Sequence, residues 1–237
     1  MKSIIILLPF ALLLGCKVEE EFQCGTETVT YQGRDYNTVQ IGDQCWLKEN
    51  LNVGTKIPKN QIMTDNGIIE KYCYDLNEDS CLRYGGLYQW GEIMQYTTIQ
   101  KAQGICPPGW HIPTDDEWKI LEGTVDSLYG IGDSEWEYSS EYRGYNAGNT
   151  LKSTTGWQSI GQNGNGTDDF GFTALPGGMR AYNNPEYKDI LSHGYWWTSS
   201  DFNSDNAWYR IILRINPQMG RFEGSKQYGL SVRCIKD

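Results

Sequence analysis

The sequence predicts a fold of short β-strands, turns and long structured loops with one clear helix, rather than a helix bundle. Its 237 residues include 27 Gly, 16 Tyr and 9 Trp, and such a composition favours strands and turns. No internal repeat and no Pro- or Ser-rich linker occurs after residue 35. We therefore expect a single domain over residues 30–237, long for one domain but within the range of mixed folds.

The first regular element is a predicted hairpin. Residues 28–41 alternate loosely around a turn at Gly33, Arg34 and Asp35, as paired antiparallel strands do.

The clearest helix is predicted over residues 114–129. Thr114 is a suitable N-cap, and Glu117 completes a capping box. Apolar residues then recur at spacings of three and four on one face, and Gly130 follows where a left-handed C-terminal residue is wanted. The apolar face consists of Trp118, Leu121, Val125 and Leu128.

Two strands are predicted near the end of the chain. Residues 208–215 place Tyr209, Ile211, Leu213 and Ile215 on one face. Residues 228–234 alternate apolar side chains with Gly229, Ser231 and Arg233, so Cys234 is expected to point inward. Cys106, just before the helix, is its natural disulfide partner, which makes the Cys-Pro-Pro-Gly-Trp-His stretch a structural brace with Trp110 in the core.

The chain begins with a predicted lipoprotein signal peptide at residues 1–15. A basic start precedes a short apolar run, too short to span a bilayer, and then Leu13, Leu14, Gly15 and Cys16. This arrangement resembles a lipobox, which implies lipidation of Cys16 and anchoring in the outer membrane. An ordinary secretory peptide is the alternative.

Residues 16–29 are predicted to form a lipidated acidic tether. Lys17 and the three Glu after Val18 resemble the surface-export signal of Bacteroidota lipoproteins, although a solvated linker explains them equally well. Removal of residues 1–15 leaves 19 basic and 30 acidic residues, a net charge of −11. This charge disfavours nucleic acid as a partner.

Six ordered motifs resemble the Fibrobacter succinogenes major paralogous domain over roughly residues 30–237. They lie at residues 36–51, 84–90, 106–118, 169–178, 195–200 and 231–234. The family resembles the C-type-lectin-like and formylglycine-generating-enzyme (sulfatase-modifying-factor) folds. The resemblance therefore implies an α+β domain with antiparallel strands, one or two helices and long loops.

The spacing and the family pattern together suggest three disulfides in an exported protein. Cys73 and Cys81 close a short loop through a polar turn, Cys106 pairs with Cys234, and Cys24 and Cys45 remain. Cys24 has the alternative of lying in a flexible tether.

Catalysis is not expected. A formylglycine-generating oxidase holds copper with two neighbouring thiols, whereas Cys234 is the only Cys after residue 106. His111 is expected to be packed and hydrogen-bonded rather than catalytic. The favoured function is a surface-exposed binding module for a glycan or a surface protein. A structural accessory subunit of an outer-membrane complex is the alternative.

The predicted ligand-binding loop contains Trp157, Asp168 and Asp169. Trp157 lies among polar residues and glycines and is a candidate for stacking on a sugar, although a place at the edge of the core is equally consistent with its type. Asn163, Asn165 and Asp168 offer oxygen ligands at nearly alternate positions, so calcium is a candidate cofactor. A glycine-rich turn held by these side chains is the favoured interpretation.

Overall fold

The computed structural model describes residues 22–237. The predicted signal peptide, Cys16 and residues 17–21 of the predicted tether lie outside these residues. The domain is a mixed α+β fold with mostly antiparallel strands. The strands are β1 Thr28–Tyr31, β2 Arg34–Ile41, β3 Gln44–Leu47, β4 Thr55–Lys56, β5 Glu70–Lys71, β6 Trp110–His111, β7 Glu141–Arg143, β8 Met179–Arg180, β9 Tyr187–Lys188, β10 His193–Asp201, β11 Asn206–Leu213, β12 Met219–Ser225 and β13 Ile235–Lys236.

Four α-helices and two 3₁₀ turns complete the described elements. The helices are α1 Glu78–Tyr84, α2 Trp90–Ile93, α3 Asp115–Val125 and α4 Ala147–Leu151, and the 3₁₀ turns are Tyr74–Leu76 and Ser134–Glu137. Among the described helices, none has the length and apolar character that a membrane crossing needs.

The larger sheet has five antiparallel strands in the order β1-β2-β3-β13-β6. Its first two strands are the predicted hairpin, with Gln32 and Gly33 at the turn, both at positive φ. Glycine tolerates this conformation without steric cost. Short β13 lies between β3 and β6, so residues distant in sequence meet at the centre of this sheet.

The second sheet has four antiparallel strands in the order β10-β11-β12-β7. Two small sheets pair β4 with β5 in parallel and β8 with β9 antiparallel. Strand β11 ends at Leu213, whereas the sequence predicts that it continues to Ile215. Ile215 is 58% exposed, so its predicted place on the strand face is wrong.

Helix α3 confirms the predicted capping box. Thr114 Oγ1 accepts a hydrogen bond from the Glu117 amide, and the Glu117 carboxylate accepts one from the Thr114 amide at 2.8 Å. The helix ends at Val125 rather than near Tyr129, because Asp126 Oδ1 accepts hydrogen bonds from the amides of the next turn. Leu128 is consequently 64% exposed rather than part of the buried face, and Gly130 does not cap the helix.

The four-stranded sheet uses its two faces differently. Successive side chains on a strand point to opposite faces. Arg210 and Ile212 of β11 face α3, and Ile212 belongs with Trp118 in one buried cluster. Tyr209 and Ile211 face the other way and pack with a second buried cluster.

A buried ionic network joins α3 to the sheet. Arg210 donates to Asp115 Oδ1 at 2.7 Å and also to Glu122. Arg143 binds Glu122, and Arg221 binds Asp115 at 2.7 Å. Each acidic residue thus has two arginine partners, which offsets the cost of burying the charges.

Three disulfides hold the loops: Cys24–Cys45, Cys73–Cys81 and Cys106–Cys234. These are the pairs that the sequence suggests. The polar turn predicted before Cys81 is the N-cap and first turn of α1, where Asn77 Oδ1 accepts a hydrogen bond from the Asp79 amide. Trp110 is 3% exposed, in agreement with its predicted place in the core.

Candidate functional site

An aromatic groove lies on the face of the four-stranded sheet that points away from α3. The strand register brings its residues together. Tyr209 of β11 lies opposite Phe222 of β12, and Tyr142 of β7 lies opposite Gly220 of β12. Gly220 and Phe222 are two residues apart and therefore lie on the same face of β12. Because Gly220 has no side chain, the Tyr142 ring approaches β12 closely: a Cβ at this position would lie 3.0 Å from Tyr142.

The groove encloses a cavity of about 200 Å³. Aromatic rings form most of its surface in a continuous series of contacts. The centroids of Tyr142 and Phe222 are 5.5 Å apart, those of Phe222 and Tyr209 are 6.2 Å apart, and those of Tyr209 and Tyr195 are 6.1 Å apart. The lining residues are Tyr142, Met179, Tyr195, Tyr209, Ile211, Phe222, Tyr228 and Leu230.

Three tyrosines that line the groove have hydroxyls without a hydrogen-bond partner within residues 22–237. They are Tyr142, Tyr209 and Tyr228, whereas the Tyr195 hydroxyl donates to Asp189 Oδ2 at 2.8 Å. Burial raises the pKa of Tyr142, Tyr195 and Tyr209 above the usual range. The phenols of Tyr142, Tyr195 and Tyr209 are therefore neutral at physiological pH, and a neutral phenol can both donate and accept hydrogen bonds.

One further tyrosine extends the aromatic surface beyond the cavity. Tyr182 is 40% exposed and contacts Tyr228 edge to face, with ring centroids 5.4 Å apart. The groove thus combines rigid apolar walls with a few unoccupied polar groups, as small-molecule sites do.

Trp157, the predicted stacking residue, is instead part of the core. It is 4% exposed and packs in the cluster that contains Trp118. Its Nε1 donates to the Ala174 carbonyl at 3.0 Å and to Ser153 Oγ at 3.2 Å. This burial agrees with the alternative given from the sequence, a place at the edge of the core, and leaves little of the ring exposed for stacking on a sugar.

The candidate calcium ligands hold their own loop together. Asn163 Oδ1 accepts from the Asn165 amide, and Asn165 Oδ1 accepts from the Trp157 amide. Asp168 accepts from both the amide and the hydroxyl of Thr173. These bonds agree with the glycine-rich turn favoured from the sequence.

Asp169 is an exposed residue beside this loop rather than part of a cavity. Its carboxylate accepts from the Thr167 hydroxyl at 2.9 Å. In the part of the chain that the structure describes, no three His, Cys, Asp or Glu side chains are grouped as metal ligands would be.

His111 is packed between two carboxylates, as expected for a structural histidine. Its Nδ1 lies 2.6 Å from Asp237 Oδ1, and its Nε2 lies 3.0 Å from Glu117 Oε1. Burial lowers the pKa of His111, but the hydrogen bonds to Glu117 and Asp237 outweigh it, so the pKa is raised above its usual value. Burial raises the pKa of Glu117, but hydrogen bonds from His111, Lys101 and the Thr114 amide outweigh it and lower the pKa to about 2.

The sequence carried only part of the signal for the groove. Alternation placed Tyr209 with Ile211 and Tyr228 with Leu230, and both pairs line the groove. The strand predicted over residues 228–234 is wrong, however, because this segment forms only isolated bridges at residues 229–231. Tyr142 is a single residue in a three-residue strand, which has no recognisable pattern by itself.

The fold and groove define a disulfide-stapled α+β domain with an aromatic site on one sheet. A family model described as the Fibrobacter succinogenes major domain matches residues 39–236, so the chain belongs to this family. No curated protein and no solved structure matches the chain.

Proposed function

We propose that this protein is a non-catalytic binding module whose aromatic groove takes a carbohydrate. The observation that supports this proposal is one cavity lined by contacting aromatic rings, three of them tyrosines whose hydroxyls have no partner within residues 22–237. A sugar ring has an apolar C–H face and a rim of hydroxyls. Aromatic rings cover the first, and the phenols hydrogen-bond the second.

The shape of the site favours a sugar over a protein partner. The groove is about 200 Å³ in volume, which suits one sugar unit rather than an extended polypeptide surface. Large exposed apolar patches are typical of protein interfaces. The aromatic surface is concave, and most of its rings are at least partly buried.

The wider setting is also part of the proposal. We infer a C-type-lectin-like fold related to the sulfatase-modifying-factor domains, and lipid anchoring through Cys16 in the outer membrane at the cell surface. A rigid, disulfide-held domain on an acidic tether would present the groove to extracellular glycans. The alternative role, as an accessory subunit of an outer-membrane complex, uses the same anchor with a protein partner.

A glycan array with the full chain in detergent tests the proposal. Once a ligand is found, Tyr142→Phe and Tyr228→Phe each remove one hydroxyl and retain the ring. Loss of one hydrogen bond costs ~1 kcal/mol, so each variant should bind about fivefold more weakly by calorimetry. Tyr138→Phe is the matched control, because Tyr138 is 54% exposed and lies outside the groove.

Two results would contradict the proposal. One is the absence of any glycan ligand while a membrane protein co-purifies with the intact lipoprotein, which would favour the accessory role. The other is a glycan that binds the groove variants and the control equally.

A further inference from the structure

A second cavity, separate from the groove, is lined by basic side chains. We call it the cationic pocket; its volume is about 290 Å³. It lies where β2, the segment after β3 and the end of α1 converge. The residues that carry its charge are Arg34, Lys48, Arg83 and Glu49.

The three cations of this pocket are unpaired. Arg34, Lys48 and Arg83 form no ion pair within residues 22–237, although the chain has 30 acidic and only 20 basic residues. The three buried arginines of the four-stranded sheet, Arg143, Arg210 and Arg221, are by contrast each bound to a carboxylate. A cluster of unpaired cations around a cavity in an acidic protein calls for an external anion.

The guanidinium of Arg34 is held in place, and one of its nitrogens has no hydrogen-bond partner within residues 22–237. Its Nη2 donates to the Leu82 carbonyl at 3.0 Å, and its Cζ lies 5.6 Å from the centroid of the Tyr36 ring. These contacts fix the head group. Its Nη1 is inaccessible to solvent and has no hydrogen-bond partner in residues 22–237, and a buried donor without a partner is costly.

The carboxylate of Glu49, which also lines the pocket, does not neutralise the three cations. Its two carboxylate oxygens accept from the amide and the side-chain nitrogen of Asn37, at 2.8 and 2.7 Å. These bonds hold the carboxylate against β2. With Glu49 counted, the pocket retains a formal charge of +2.

A fourth cation, Arg233, adds to the positive potential of the pocket. Arg233 is 1% exposed and bonds to neutral acceptors, the side-chain oxygen of Asn50 and the carbonyl of Phe172. Asn50 itself lines the pocket. Burial lowers the pKa of Arg233 to about 9, so it remains charged at neutral pH.

We propose that the cationic pocket binds the carboxylate of an acidic sugar, with the oxyanion held by Arg34, Lys48 and Arg83. Guanidinium groups match carboxylates in planar, two-oxygen geometry, and the cavity is large enough for one monosaccharide. The pocket shares no lining residue with the aromatic groove. The inference therefore goes beyond the proposed function of the groove and can fail or hold independently of it.

Calorimetry of the full chain with glucuronate, and with glucose as the neutral analogue, tests this assignment. Glucuronate should bind at low ionic strength, with an affinity about tenfold or more above that of glucose. Its binding should weaken strongly in 1 M NaCl, because exposed charges are screened at this salt concentration. Lys48→Gln and Arg83→Gln should each weaken glucuronate binding by about tenfold. Lys188→Gln removes the same charge from an exposed strand outside the pocket and should change nothing.

Lys48 and Arg83 are suitable for this test because neither is buried and neither forms an ion pair among the described residues. Unchanged urea midpoints for both variants would exclude unfolding as the cause of weaker binding. Equal binding of glucuronate and glucose would overturn the inference. So would wild-type affinity for glucuronate in the double Lys48→Gln, Arg83→Gln variant, or no heat of binding at millimolar glucuronate. The groove variant Tyr142→Phe should bind glucuronate normally, which separates the two sites.

Discussion

Removing the Cys106–Cys234 disulfide should destabilise the domain more than removing either of the other two. The three bridges close sequence separations of 128, 21 and 8 residues. Their loops do not overlap, so each constrains a different part of the unfolded chain. In the chain-entropy model, a bridge stabilises the fold by an amount that grows with the logarithm of its loop length.

The separations give a ranked set of costs. The model predicts about 5 kcal/mol for Cys106–Cys234, about 3 kcal/mol for Cys24–Cys45 and about 2.5 kcal/mol for Cys73–Cys81. The longest and shortest bridges form a matched pair, because all four of their cysteines are 0% exposed. Replacement by Ala therefore removes the same buried atoms in both cases, and the difference of about 2.5 kcal/mol reports loop length.

The assay is equilibrium urea unfolding of the two double-Ala variants and the wild type under non-reducing conditions. The midpoint should fall further for Cys106→Ala with Cys234→Ala than for Cys73→Ala with Cys81→Ala. Peptide mapping without reduction verifies the remaining bridges. If the short-loop variant loses as much stability as the long-loop variant, loop closure does not govern the stability of this domain. A bridge between Cys73 and Cys106 in the native protein would refute the pairing itself.

Four further predictions concern single residues. Glu122→Gln should cost about 3–5 kcal/mol of unfolding free energy, since it leaves buried arginines uncompensated, whereas Glu141→Gln at an exposed site should be neutral. Trp157→Ala should cost about 3–5 kcal/mol in the same urea assay; a negligible change would restore the residue as a surface site. His111→Gln should destabilise most at pH 5.5 and least at pH 8.5. The raised pKa of His111 means that its stabilising charge is present below its unfolded value, about 6.5, and is lost as pH rises through the folded pKa; an effect independent of pH would contradict this. Cys16→Ser should abolish membrane fractionation, and retention of an acylated protein would show lipidation elsewhere.

Local patterns predicted the elements whose determinants are close in sequence. The hairpin and the start of α3 follow from a turn and a capping box, each set within a few residues. The end of α3 was missed because Asp126 also binds the amides of residues 145–147, far along the chain. Such a contact leaves no periodic trace in the helix itself.

The site was predictable only where it depended on alternation within one strand. The pairing of β12 with β7 places Tyr142 beside Phe222, and no local pattern specifies that pairing. The sequence left two alternatives open for Trp157 for the converse reason. Its neighbours in sequence are polar, but its side chain contacts the segment at Ala174, which is 17 residues further along the chain.

Because β13 pairs with both β3 and β6, the five-stranded sheet cannot close until residue 236 has emerged from the ribosome. Residues 44–47 and 110–111 are synthesised before β13, so the strand edges that pair with β13 remain unpaired until then. Cys106 likewise has no disulfide partner until Cys234 has been synthesised. Unpaired strand edges are prone to aggregation during synthesis. The position of β13 therefore delays completion of the five-stranded sheet until nearly all of the domain has been translated.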